Sequence, residues 1–173
     1  QQTFGTSEIN VDTLASWHHY AFAIHNSGSN CYVRFYVDGI QNQKYTHGST
    51  IGALPQKNTK GRIGALLTAS VGGPTGSMAG AGKLSGSMDE FRFWKASRSG
   101  EDIIKNWFTQ VRGGTNTDIY NTTLGVYYKF NEGITGTASL DNNVLDYSGR
   151  ISNGNWIGYD STIHDQAARG TYG

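Results

Sequence analysis

One cysteine, two prolines, few charges and no long apolar run mark this 173-residue chain, and each shortage removes a class of protein. A lone Cys31 permits no internal disulfide, which argues against a small disulfide-stapled secreted scaffold and leaves the compartment open. Its setting, Cys31-Tyr32-Val33-Arg34-Phe35-Tyr36-Val37, is strand-like and predicts a buried, inert thiol. Charged residues make up 16% of the chain and the formal net charge is +1. No electrostatic attraction to nucleic acid or to an anionic membrane is expected from that balance. No apolar segment approaches the roughly 20 residues that cross a bilayer as a helix, so membrane insertion is not expected. No leader peptide is visible and the chain begins Gln1-Gln2, so the expectation is a processed or excised piece of something longer.

Abundant instead are glycine (24) and aromatic residues (ten Tyr, seven Phe, four Trp), a composition suited to many strands joined by glycine turns. Residues 17–24 alternate, with His18, Tyr20, Phe22 and Ile24 on one face and Trp17, His19, Ala21 and Ala23 on the other, the period of a strand. Residues 31–37 alternate again, placing Cys31, Val33, Phe35 and Val37 together. His25-Asn26-Ser27-Gly28-Ser29-Asn30 between them has turn chemistry throughout. Asp38-Gly39 then precedes a strand at 40–45, and Asp-Gly between two strand patterns predicts a hairpin. A meander of three antiparallel strands is therefore expected.

Further on, a short strand is predicted around Arg62-Ile63-Gly64-Ala65-Leu66, and a long surface loop over the small residues 68–82. A strand follows over 84–94. Ser99 has the character of a helix N-cap, with Glu101 and Asp102 suitably placed in the first turn. Ile103, Ile104, Trp107, Phe108 and Val111 form one apolar stripe, which Gly113-Gly114 ends. Strands are predicted again at 124–130 and 143–147.

Trp17-His18-His19-Tyr20-Ala21, then Tyr36-Val37-Asp38-Gly39, then Arg62-Ile63-Gly64, then Gly86-Ser87-Met88-Asp89-Glu90-Phe91-Arg92-Phe93-Trp94 follow one another in order. This series resembles the motifs W-H-H-V-A, L-Y-V-D-G, L-x-I-G and G-x-I-D-E-V-R-I-W of the laminin-G-like, concanavalin-A-like superfamily. The resemblance covers about residues 12–111. It implies an all-β, jelly-roll-like antiparallel β-sandwich of laminin-G type with one short helix. Residues 1–112 are expected to form that sandwich, its first strands missing or supplied upstream. The segment 125–133, with Asp146-Tyr147-Ser148-Gly149 and Asn153-Gly154, resembles the family's Y-Y-x-F-x-E-G, D-x-S-G and N-x-G run. Residues 113–173 are accordingly either a C-terminal extension of the same domain or the start of a following repeat.

Chemistry is harder to find. Adjacent Asp89 and Glu90 point to opposite sides of a strand and cannot flank one glycosidic bond. The glucanase relatives' E-x-D-x-x-E run is absent, and so are a Gly-x-Ser-x-Gly elbow and a phosphate loop. No enzyme activity is expected. The resemblance implies calcium as the candidate cofactor, with Asp141, Asp146 and Asn153 as oxygen ligands in a glycine-rich stretch; Asx turns are the other reading of those residues. Tyr32, Tyr36 and Trp156 are candidate platforms for sugar rings, core packing being the alternative. The expectation is a non-catalytic structural or recognition module of a larger extracellular or virion assembly, with other subunits or domains and cell-surface glycans as partners. A calcium-assisted lectin or adhesion domain, and an accessory domain of a glycoside hydrolase or sialidase, are the alternatives.

Overall fold

The computed structural model describes residues 16–52, 61–64, 86–109, 111, 122–132 and 141–156. The chain divides into two compact units, one of residues 1–52 with 89–173 and one of residues 53–88. In the second unit the described residues 61–64 are irregular, with Gly64 at a φ of +73°, so Arg62 and Ile63 do not lie in the expected strand. The predicted loop over 68–82 falls outside the described residues.

The first unit opens with β1 (Tyr20–Ser27), β2 (Asn30–Val37) and β3 (Ile40–His47), an antiparallel sheet in the order β1-β2-β3. Both connections are two-residue turns. Gly28 at a φ of +59° opens the first, as a type II′ turn requires. Asp38 and Gly39, at +49° and +80°, form the type I′ turn that their dipeptide predicts. β1 differs from expectation at both ends: it starts at Tyr20 and runs on through His25, Asn26 and Ser27. So tight a turn at Gly28-Ser29 lets the ladder continue to its end, pairing His25 with Tyr32, Asn26 with Cys31 and Ser27 with Asn30. Asn26 adds a second anchor, its amide donating to the Ile51 carbonyl and accepting from the Ile51 N–H.

A bulge interrupts the β2–β3 ladder. Tyr36 pairs with Gln41 but Phe35 pairs with Gln43, which leaves Asn42 as the extra residue. Directly paired residues share a face, so one face carries Tyr20, Phe22 and Ile24 beside Val37, Phe35 and Val33. Here Phe22 stacks on Phe35 with ring centroids 4.8 Å apart. Cys31 also lies on this face, 1% exposed in the central strand. The opposite face carries Ala21, Ala23 and His25 beside Tyr36, Arg34 and Tyr32. Ala21, Ala23 and Tyr36 pack there with Ile103 of the helix as an apolar cluster.

That helix, α1 (Gly100–Asn106), has a full capping box: Ser99 Oγ accepts from the Asp102 N–H while the Asp102 carboxylate accepts from the Ser99 N–H. It ends at Asn106, earlier than the glycine pair at 113–114 suggests. Of its predicted stripe, Ile103 is buried while Ile104 and Phe108 are exposed. β4 (Phe91–Trp94) pairs antiparallel with β5 (Leu124–Tyr128), and β6 (Asn143–Val144) with β7 (Gly154–Asn155). β4 is shorter than the predicted 84–94 because Glu90, at a φ of +54°, breaks the extended backbone before it. Antiparallel strands with one short helix make up the regular structure among the described residues, an all-β architecture.

Candidate functional site

The tryptophan-led motif and the Tyr-Val-Asp-Gly motif meet at one turn. Asp38 Oδ2 accepts from His18 Nδ1 at 2.7 Å, and Oδ1 accepts from the His19 backbone N–H at 2.8 Å. The Asp38 N–H donates in return to the His19 carbonyl at 2.9 Å. A carboxylate only accepts, so His18 carries its proton on Nδ1. Burial alone pushes Asp38 up; hydrogen bonds from His18 and His19, with the charge of both rings, outweigh it and hold the carboxyl below its ordinary range. At Gly39 a Cβ would lie 2.5 Å from Trp107 Cδ1 and 3.3 Å from Ile104 Cα, so only glycine fits beneath the indole. His19 faces the same indole at 6.2 Å. Burial, then the charge of Arg92, lower its pKa against the opposing pull of Asp38.

Within the Asp-Glu-Phe-Arg motif, Glu90 and Arg92 are half-buried and bound to the scaffold, while Asp89 is exposed. Glu90 Oε2 accepts from the Tyr127 hydroxyl and from Arg92 Nη2. Arg92 Nη2 also donates to the Thr109 carbonyl at 2.6 Å, and the guanidinium lies over the Tyr127 ring. Tyr127 is 1% exposed; burial, then the neighbouring Glu90, push its hydroxyl far above the usual range, so it remains a donor. Asp89 Oδ1 accepts from the Glu90 N–H at 2.8 Å. Asp89 thus braces the backbone of its neighbour, while the Glu90 carboxylate ties β4 to Tyr127 of β5.

The predicted metal ligands lie within the stretch that carries β6 and β7. Asp146 Oδ1 accepts from the N–H groups of Tyr127 and Ser148, and Oδ2 from the Ser148 hydroxyl and the Ser152 N–H. Burial raises this carboxyl, and the donors from Ser148, Tyr127 and Ser152 together bring it below its ordinary range. Asn153 Oδ1 accepts from the Asp146 N–H at 2.9 Å, which brings two of the three residues together. Asp141 is 2% exposed. Among the described residues, no three His, Cys, Asp or Glu side chains are grouped as metal ligands.

The predicted sugar platforms separate. Tyr36 is 2% exposed in the cluster with Ala23 and Ile103, so its ring has no open face and belongs to the core. Trp156 packs against Phe130 with ring centroids 5.7 Å apart, and its Nε1 is buried without a hydrogen-bond partner. Tyr32 is half-buried on the sheet face that α1 shares. His25 from β1 stacks on it at 5.3 Å, and Lys44 from β3 places Nζ 5.1 Å from the ring centroid. Arg34, two residues along β2, stands directly opposite Lys44. Sequence reading missed His25, Arg34 and Lys44 as a group. Alternation puts Tyr32 and Arg34 on one face, but a regular ladder from Asp38-Gly39 would set Gln43, and not Lys44, against Arg34; the Asn42 bulge makes the difference.

A family model described as the concanavalin A-like lectin/glucanases superfamily matches residues 1–104, more than half of the chain. No curated protein and no solved structure matches. The match spans the turn at Asp38, the hairpins on either side of β2 and the capped start of α1. A domain of this kind is a carbohydrate-binding or structural module in general. With its antiparallel strands, short helix and interlocked motifs, the chain belongs to the concanavalin A-like lectin/glucanase superfamily as a laminin-G-like domain.

Proposed function

We propose that this domain is a non-catalytic recognition module that binds saccharides as one part of a larger extracellular or virion-surface assembly. One observation carries the reading: the motif carboxylates are consumed by the scaffold. Asp38 holds His18 and His19, Glu90 holds Tyr127 and Arg92, and Asp146 accepts four hydrogen bonds. Glycoside hydrolysis needs two carboxyl groups aimed at one bond from opposite sides, and these are each aimed at their own chain. Family membership supports the saccharide side of the reading, and the low charge and aromatic-rich composition suit a displayed surface. Fold alone does not decide function, so the site must.

The test is a glycan array with the full chain, run with calcium and with a chelator, beside an assay for reducing ends released from glucans. Binding without turnover is expected. Binding lost on chelation assigns calcium to the site; binding retained makes the side chains sufficient. No binding in either condition leaves a structural role, and released reducing ends would overturn the non-catalytic reading.

A further inference from the structure

The sheet face beside α1 carries two like charges set directly against each other. Arg34 of β2 and Lys44 of β3 are directly opposed, and like charges in that position destabilise a sheet. The ion pairs among the described residues join His18 to Asp38, Arg92 to Glu90, Arg98 to Asp102 and Lys105 to Glu101. None of them neutralises Arg34 or Lys44. The acidic residues of α1 are engaged locally, Glu101 by Lys105 within the helix and Asp102 by Ser99 and Arg98 just before it.

Tyr32 sits between two further donors. His25 stacks on it from β1, and Lys44 approaches its ring from β3 on the other side of the central strand. With His25 stacked on the ring and the Lys44 ammonium 5.1 Å from its centroid, Tyr32 is a poor platform for the apolar face of a sugar. What this patch can present outward is its hydroxyl, an imidazole, an ammonium and a guanidinium, with the exposed Thr46 hydroxyl opposite Tyr32. Hydrogen-bond donors bearing positive charge fit an anion, and a planar guanidinium suits a carboxylate or sulfate oxygen pair.

We propose that Arg34, Lys44, Tyr32 and His25 form a binding site for an acidic saccharide, its carboxylate or sulfate seated between Arg34 and Lys44. The proposal rests on the saccharide reading above and names the ligand class. Three strands span about 10 Å, room for a single charged sugar unit and its neighbour. A nucleic-acid backbone needs a longer basic track, and the net charge of +1 does not supply one.

The experiment titrates the full chain with sialyllactose, a glucuronate-containing disaccharide and a sulfated disaccharide, each beside its neutral counterpart. At least one acidic sugar is expected to bind tenfold or more tightly than its counterpart. Arg34→Gln and Lys44→Gln should each weaken that binding about 10- to 100-fold, the effect of a charge-assisted hydrogen bond. At low salt, Arg34→Gln should melt at or above the wild-type Tm, because relief of the opposed pair offsets lost packing. A fall of more than about 3 °C makes Arg34 a scaffold residue and overturns the proposal. Neutral sugars bound equally well, with both variants unaffected, would overturn it while leaving the saccharide reading intact. A single-stranded oligonucleotide bound as tightly as the acidic sugars would reduce the patch to nonspecific charge. No sugar bound by any variant sinks both readings.

Discussion

The turn at Gly28-Ser29 and the turn at Asp38-Gly39 close opposite ends of the same strand, each with a two-residue connection and a glycine at positive φ. Around Gly28 an added Cβ would meet nothing within 4 Å; at Gly39 it would strike the Trp107 indole. The first turn is a local solution to reversing the chain. The second is also an attachment point, where a side chain from before β1, the strand pair β2–β3 and the end of α1 are fastened together. A turn dipeptide reports the reversal in both cases, and says nothing of which turn other elements close upon.

The comparison breaks most visibly at Gly39. Gly39→Ala adds a steric conflict with Trp107 to the cost of alanine at positive φ, and a loss of about 3 kcal/mol is expected in urea unfolding. Asp38→Ala removes two hydrogen bonds made by a charged group, those to His18 and His19, at an expected cost of about 2 kcal/mol. If Asp38→Ala proves neutral, the turn is fastened by Trp107 alone.

Acid should sharpen the same contrast. Asp38 and Asp146 both have folded pKa values below the ordinary carboxylate range. Such a group contributes stability that is fully present above its unfolded pKa, near 3.9, and is lost as pH falls through the lower folded value. Midpoints of denaturation should therefore drop below about pH 4. The drop should be shallower in Asp38→Asn and shallower still when Asp146→Asn is added. Gly28→Ala, at the open turn, should cost about 1 kcal/mol, the backbone strain alone. A Gly28→Ala loss as large as that of Gly39→Ala would erase the distinction.

The parts of the fold legible from sequence were those written in short-range chemistry. Asp38-Gly39 as a hairpin, Ser99 as a cap with acids in the turn after it, and the alternation of 31–37 all depend on neighbours within a few residues. Boundaries set by tertiary pairing were less legible. His25, Asn26 and Ser27 read as turn residues, yet the ladder and the Asn26 amide draw them into β1. Glu90 reads as part of a strand, yet Tyr127 and Arg92 fix it in a bend. The candidate site was least legible. Tyr32 could be singled out as an aromatic on a strand, but its buried neighbour Tyr36 has the same local pattern. Arg34 and Lys44 become partners only through a one-residue bulge that nothing in 40–47 announces.

Cys31 gives all of this a built-in clock. Its thiol is 1% exposed, in the strand shared by both turns, so a thiol reagent reaches it only when the sheet opens. Labelling rates under native conditions then measure how often β2 is released from its neighbours, with no mutation or added probe. Each variant above can be read by that one natural reporter.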